Sequence, residues 1–424
     1  MMKQSIWIFL FLASGLVAQQ EERINGWRSD LEILIDKMEE EHYDLFHTIS
    51  PEEWKKATQQ LYNDIPKKSD LQLVGAFMKL MAMIGDGHTL MYPPFQGKNT
   101  FLSLPLEFYF FEDDVYIRAA EPKYEELVGT KVVKVGSMEI DEIIQKTVPH
   151  LGRDNEFQLK WIIPIAMMFS DLYQIIGTIE DRNQVNFTLM KEDGSIFSRK
   201  VAAGVLTRDP MSRFAPDHWK SMVDRKSNFW TKNPDNFYWY EWIPDDNVVY
   251  CQFNQVRNNE KESIEDFSKK LHSFIKEKNA VALIIDIRLN NGGNSFLNKA
   301  FIHEIIKNEA INQEGKLFTI IGRRTFSAAM NLSSDLENHT NTLFVGEQTG
   351  SKPNFIGEDN EFVLPYSELM GSISTRYWQG GATSDDDRQW IAPDLEAPLT
   401  VDDYKNNIDP CMKRILDYVK HNSK

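Results

Sequence analysis

An α/β fold is predicted for the C-terminal half of this 424-residue chain, and three observations on residues 236–424 predict it. Strand and helix patterns alternate there. One strand, Val281 to Ile287, is apolar throughout, as expected when both faces of a parallel sheet are covered. Glycine-rich or polar punctuation then falls at the C-terminal end of three strands, where α/β sheets commonly bind ligands.

The elements before this zone differ in period. Residues 22–92 read as helical. Trp27, Leu31, Leu34, Ile35 and Met38 recur at helical spacing. Ser50-Pro51-Glu52-Glu53 supplies a cap residue, a proline at the first helical position and a glutamate at the third. Leu73, Val74, Phe77, Leu80, Met81 and Ile84 form the apolar face of a further helix, which stops at Gly85-Asp86-Gly87-His88-Thr89. Residues 100–205 switch to strand signals. Phe108 to Phe111 and Val115 to Ile117 flank an acidic turn, and Lys131 to Val135 and Met138 to Ile140 flank Gly136-Ser137. Asp141 is placed to cap a short helix. Val185 to Met190 and Ile196 to Val201 flank Asp193-Gly194. The polar stretch from Thr207 to Asp235 reads as a linker or an active-site wall.

In the third zone, Val248 to Phe253 is predicted as a strand, and Ile264, Phe267, Leu271 and Phe274 mark a helix. A helix over Phe296 to Ile306, a strand over Leu317 to Ile321, a helix from Ser327 to Leu336 and a strand over Thr342 to Val345 follow.

Composition narrows the function. Hydrophobic residues make up 42% of the chain, enough to bury a sizeable core. The formal net charge of -16 repels phosphate backbones, so nucleic acid is not an expected partner. Residues 1–18 read as an export signal: Lys3, then an apolar run from Ile6 to Val17, then Ala18 before a polar segment. Such a run is too short to span a bilayer, which takes about 20 residues. A periplasmic or secreted protein with no membrane span after signal removal is expected. Export permits a disulfide, and Cys251 and Cys411 are the only cysteines; whether they pair is left open by the sequence.

Chemistry could sit at the three strand ends. The first is Asp286-Ile287-Arg288-Leu289-Asn290-Asn291-Gly292-Gly293-Asn294. Its glycines let backbone N–H groups approach a ligand and cradle an oxyanion, or simply make a tight turn. The second is Thr325-Phe326-Ser327-Ala328-Ala329. Ser327 stands at a predicted helix N-terminus, beside free N–H groups and the positive end of the dipole. It suits either a nucleophile or an ordinary N-cap. The third is Gly346-Glu347-Gln348-Thr349-Gly350-Ser351-Lys352. No cofactor motif is present. His303-Glu304 begins a zinc-binding HExxH, but Lys307 stands where the second histidine must be, so neither metal nor cofactor is expected.

Taken in order, and with Ala392-Pro393-Asp394-Leu395-Glu396 and Gly85-Asp86-Gly87-His88-Thr89, these segments resemble the tail-specific, or C-terminal processing, serine protease family. The resemblance implies an α/β, crotonase-like catalytic domain over 236–424, an N-terminal helical segment over 22–92 and a β-rich PDZ-like domain over 100–205. It implies a serine-type peptidase with Ser327 as nucleophile, and an oxyanion hole from Ala328 and from Gly292 or Gly293. Two bases are open. The C-terminal processing branch uses a lysine, and Lys352 lies 25 residues after Ser327, although Pro353 departs from that branch's pattern. The tricorn-core-like branch uses a histidine, matched by His88, with an acidic partner matched by Asp387; Asp385 and Asp386 are rivals, and Gly87 departs from the serine of that pattern. Arg288 is expected to support its turn by pairing with a carboxylate. A peptide or protein is the implied substrate. A catalytically silent ligand- or peptide-binding protein on the same fold, or a hydrolase of non-peptide esters or amides, are the alternatives. The oligomeric state is not legible.

Overall fold

A computed structural model describes the backbone of residues 2–422, and side chains over 18–421 except at 227. Residues 1–17, which hold nearly all of the expected export signal, fall outside the described side chains. Where the sequence marks three zones, the chain folds into two compact units. The smaller comprises residues 1–101, 149–152 and 356–376; the larger comprises 102–148, 153–355 and 377–424. The PDZ-like zone and the α/β zone therefore belong to one unit.

In the smaller unit, helices span Met2–Glu41, Pro51–Asp64 and Asp70–Ala82. Trp27, Leu31, Leu34 and Met38 are fully buried along one stripe of the first, as their spacing predicts. Asp30 on the same face is also buried, and accepts the backbone N–H groups of Tyr366 at 2.9 Å and Ser367 at 2.7 Å. The second helix starts with the predicted box: Ser50 Oγ accepts from Glu53 N–H, and the Glu53 carboxylate accepts from Ser50 N–H. Strand Leu90–Met91 pairs antiparallel with Met370–Gln379, Leu90 opposite Ser372.

The larger unit holds a six-stranded sheet in the order Leu395–Glu396, Leu343–Gly346, Leu317–Ile321, Ala282–Asp286, Val248–Phe253, Tyr238–Ile243. Every pairing is parallel except the last. Val249, Cys251, Phe253, Leu283 and Ile285 face one core with Phe267, Leu271 and Phe301 from flanking helices. Val248, Tyr250, Ala282, Ile284 and Ile320 face the other, with Met412, Ile415 and Val419 of helix Pro410–Asn422. Alternate residues of a strand point to opposite faces, so burial on both sides explains the unbroken apolar runs. It also settles the cysteines. Cys251 lies in the first core and Cys411 in the second, with the sheet between them; both are free. Burial pushes both thiols up, which leaves them un-ionised.

A second sheet in this unit runs through strands Leu106–Phe111, Asp114–Ala120, Lys131–Val135, Gln184–Met190 and Ile196–Ala202. These are the predicted hairpins, with Gly136 and Gly194 at positive φ in two of the turns. Asp141 lies inside the first turn of helix Ile140–Thr147; Glu139 holds the cap position. Residues 207–235 pack within the larger unit and do not form a free linker. Lys220–Ser221 pairs with Ala119 and Ala120, and Arg213 donates to the carbonyls of Leu289 at 3.2 Å and Pro234 at 3.0 Å.

The second sheet contains a buried ion triad. Glu107 accepts from Arg118 at 3.0 Å and from Arg208 at 2.6 Å. Burial alone pushes its carboxyl up, but the two guanidinium groups outweigh it and hold the group at about 2. Because the folded value lies below the unfolded one, this stabilisation is complete above the ordinary carboxylate range and is lost as the pH falls from there toward about 2. Glu107→Gln is expected to destabilise the protein by about 3–5 kcal/mol at neutral pH, since it strands buried cations. Urea unfolding from pH 6 down to pH 3 checks this: the gap between wild type and variant shrinks as the pH falls, and a constant gap refutes the assignment.

Candidate active site

Strands Ala282–Asp286, Leu317–Ile321 and Leu343–Gly346 are neighbours in the parallel sheet. Their C-terminal ends therefore bring the three punctuated loops to one edge. The first loop is pinned from beneath. Arg288 donates to Asp286 at 3.0 Å and, through both terminal nitrogens, to Asp409 at 3.0 and 2.9 Å, the supporting role expected from sequence. Tyr250 donates to Asp286 at 2.7 Å.

The second loop carries Ser327. It leaves its strand through a turn in which Thr325 N–H donates to Gly322 O at 2.8 Å and Gly322 N–H donates to Thr325 Oγ1 at 3.1 Å. Ser327 sits at φ 55°, ψ -125°, a conformation that costs a residue with a side chain on the order of 1–3 kcal/mol. Helix Ala328–His339 starts at the next residue, and the Ser327 side chain makes no capping hydrogen bond to it. The N-cap alternative is thereby set aside. A half-buried serine is held on a strained corner at the positive end of a helix, with its hydroxyl not committed to the cap.

Glycine makes room for this corner. A Cβ at Gly292 would lie 2.7 Å from Ser327 Cβ and 3.0 Å from the Ala328 nitrogen. One at Gly293 would lie 2.2 Å from Val256 O. Both residues have positive φ, 111° and 136°. Their roles separate. Gly292 N–H donates to Asn290 Oδ1 at 2.9 Å, so this expected oxyanion donor is already engaged. Gly293 bridges Val256 in parallel register: Val256 N–H donates to Gly292 O at 2.9 Å and Asn294 N–H to Val256 O at 2.8 Å. In such a bridge the N–H of the central residue points away from its partner, which leaves Gly293 N–H directed to the other side. Ala328 is the first helical residue, so its N–H has no acceptor within the helix. Ala328 and Gly293 are the donors that remain of those expected.

The third loop is stitched to its surroundings. Gly350 N–H donates to Thr325 O at 3.1 Å, and Ile391 N–H to Thr349 Oγ1 at 3.0 Å. Asn155 donates to Thr349 O at 3.1 Å, and Ser351 Oγ to the Asp154 carboxylate. Lys352 follows, half-buried between buried Ser351 and Pro353. The acidic turn beyond is solvated. Asp386 pairs with Arg388, which also holds Glu337. Asp385 and Asp387 are exposed, and the Asp387 carbonyl accepts from Gln389 at 3.0 Å.

His88 belongs to the smaller unit and is buried. Its backbone is fixed by Asp86, whose carboxylate accepts from His88 N–H at 3.0 Å, Thr89 N–H at 2.6 Å, Ser374 Oγ at 2.6 Å and His42 Nε2 at 2.9 Å. His42 Nδ1 accepts from Asp44 N–H at 3.1 Å, which places the ring proton on Nε2. Burial raises the Asp86 carboxyl, but hydrogen bonds from His42 and Ser374 outweigh it and leave the group below its ordinary value. Ser372 Oγ donates to His88 O. Asp359, in the same unit, is held above its ordinary value, first by partial desolvation, with the His88 charge acting the other way.

Residues 247–397 match the model of Peptidase family S41. This segment of the chain resembles an S41 peptidase domain. The match supports a serine-type peptidase, a hydrolase acting on peptide or protein substrates. The structure of mature CPAF complexed with lactacystin aligns at TM-score 0.64 and 12% identity, covering 94% of this chain and 98% of that one. A further structure of mature CPAF aligns at 0.62 and 12%, over 95% and 99%. At that identity the likeness is one of fold. Comparison with curated proteins finds no match.

Several residues of this segment and of the smaller unit carry no role from sequence. Asn290 takes the Gly292 N–H, Asn298 donates to Ala328 O at 2.8 Å, and Asp86, His42 and Ser374 set the His88 turn. The only local signal is Asp86 two residues before His88, the spacing of an Asx turn. Gly292→Ala tests the site. With the Cβ against Ser327 and Ala328, acylation is expected to fall at least about 100-fold, the loss typical of a disabled oxyanion hole, while far-UV circular dichroism stays unchanged. Wild-type acylation rates in the variant would refute the close approach.

Proposed function

We propose that the protein cleaves peptide bonds through an acyl-enzyme on Ser327, with His88 as the general base. Ser327 Oγ attacks the scissile carbonyl carbon while the base takes its proton. The tetrahedral oxyanion is met by the N–H groups of Ala328 and Gly293, each such donor being worth about 3–4 kcal/mol in a dry, preorganised site. The C–N bond breaks as the amine leaves with the proton, and water repeats the sequence to release the acid. The observation that carries this reading is the strained Ser327 corner with Gly292 cleared away from it. For the base, buried His88 on a turn fixed by Asp86 supports the histidine; Lys352 is the rival. Asp387 is the acidic partner that the family pattern assigns, and Asp359 is a carboxylate of His88's own unit that interacts electrostatically with it.

A fluorophosphonate probe on the purified protein, with peptide mapping, decides between these. Labelling at Ser327 is expected in wild type and Lys352→Ala, and is lost in Ser327→Ala and His88→Ala. Loss in Lys352→Ala with retention in His88→Ala overturns the histidine assignment. Asp387→Asn and Asp359→Asn, compared by labelling rate, identify the acidic partner: the true one slows labelling by at least about tenfold, given what an orienting carboxylate contributes.

The reading includes export to the periplasm or beyond, supported by the Lys3, Ile6 to Val17 and Ala18 pattern. N-terminal sequencing of protein from cells is expected to start after Ala18; an intact Met1 in the exported fraction contradicts it.

A further inference from the structure

A cavity of about 100 Å³ lies wholly within the larger unit, behind the loop that carries Ser327. One water needs roughly 10–15 Å³ on this measure, so a group of several heavy atoms fits. The charges on its walls do not balance. Arg323 is neutralised by Glu347, and Arg288 by Asp286 and Asp409. Arg118 and Arg208 share the single carboxylate of Glu107. Arg213 donates to carbonyl oxygens of Leu289, Pro234 and Asn254 and to Gln255 Oε1, with no salt bridge of its own; exposed Asp235 acts on it only at a distance.

Arg324 is the decisive residue. It is buried, at 8% exposure. Among the described residues it has no carboxylate partner; one terminal nitrogen donates to Met211 O, and Nε is buried without a hydrogen-bond partner. Its guanidinium lies 5.2 Å from the Trp161 ring centre, a contact worth about 2 kcal/mol at most when desolvated. Leaving a buried cation unpaired costs several kcal/mol. Desolvation and the neighbouring Arg213, Arg118 and Arg208 push it down to about 9, with exposed Asp209 acting the other way. Surplus guanidinium groups around a void suit a carboxylate or phosphate, which a guanidinium pairs with strongly.

We propose that this cavity is an anion-binding site, in which Arg324 donates its unpartnered Nε–H to a carboxylate or phosphate group while Arg213, Arg118 and Arg208 supply the surrounding positive potential. Arg324 stands three residues before Ser327, and Trp161, which it faces, also packs on Phe326 at 5.8 Å. Occupancy therefore bears on the rigidity of the nucleophile loop. The inference does not rest on the catalytic assignment; fluorophosphonate labelling of the same preparations keeps the two apart.

The test is thermal unfolding of the full protein with inorganic phosphate or acetate, against sodium chloride at equal ionic strength. Phosphate or acetate is expected to raise the melting temperature by roughly 3–6 °C at saturation. Arg324→Met, which keeps the volume and removes the charge, is expected to fold and to lose the response; Arg324→Lys, which keeps the charge, retains part of it and serves if the methionine variant does not fold. No anion-specific shift in wild type, or an equal shift in Arg324→Met, overturns the proposal. Competition with a short peptide distinguishes the sources. A free-acid peptide displacing phosphate at least tenfold better than its amide identifies a polypeptide carboxylate as ligand, whereas equal weakness of both with phosphate binding intact identifies a free oxyanion.

Discussion

The backbone of Ser327 is held where a residue with a Cβ resists going, at φ 55° and ψ -125°, and the loops around it are arranged to keep it there. Phe326 N–H is tied to Asn290 O at 3.3 Å, and Asn290 in turn holds Gly292 N–H and Phe253 O. Thr325 Oγ1 donates to Ile287 O at 3.2 Å, so the loop that carries Ser327 is fastened to the strand next to its own. Helix Ala328–His339 is anchored by Asn298 at its first carbonyl. The strain is thus offset by hydrogen bonds from one neighbouring loop, and that loop can approach only because position 292 has no side chain. Strain of this kind persists where the surroundings over-determine it.

Charge in the larger unit follows a related logic. Arg288 and Arg323 fasten turns at strand ends by bidentate pairing with Asp409 and Glu347, the geometry for which a guanidinium is suited. These are rigid, self-contained clamps. Arg213 ties residues 207–235 to the Leu289 turn through carbonyls alone, and Arg324 is left with less. The contrast between fully paired and incompletely paired guanidinium groups within one wall separates structural arginines from one available to a ligand.

In the smaller unit a single carboxylate plays the corresponding part. Asp86 gathers two backbone N–H groups, one hydroxyl and one imidazole. Four donors on one buried carboxylate stabilise its charged form, and they fix the turn on which His88 stands. His42 reaches Asp86 from the end of the first helix, and Ser374 from strand Met370–Gln379. The His88 turn therefore depends on segments far apart in the chain.

The amino-acid sequence by itself determined the elements and the order of the loops. Strand Val248–Phe253 and strand Leu317–Ile321 begin and end where their apolar runs do, and Ser50 caps its helix as its local pattern dictates. Those features arise from periodicity and hydrogen bonds within a few residues, which a sequence displays directly. That Ser327 follows one strand and Gly292-Gly293 another was equally legible. Tertiary structure alone decided that Gly292 N–H is engaged by Asn290 and that Gly293 bridges Val256, contacts invisible in spacing. It exposed Asp387 in a solvated turn, separated Cys251 from Cys411 by the thickness of a sheet, and joined the β-rich zone to the α/β zone in one unit. It also left Arg324 short of a partner. Each of these outcomes depends on which distant groups meet, and on how much water they keep, quantities that packing fixes and local pattern does not.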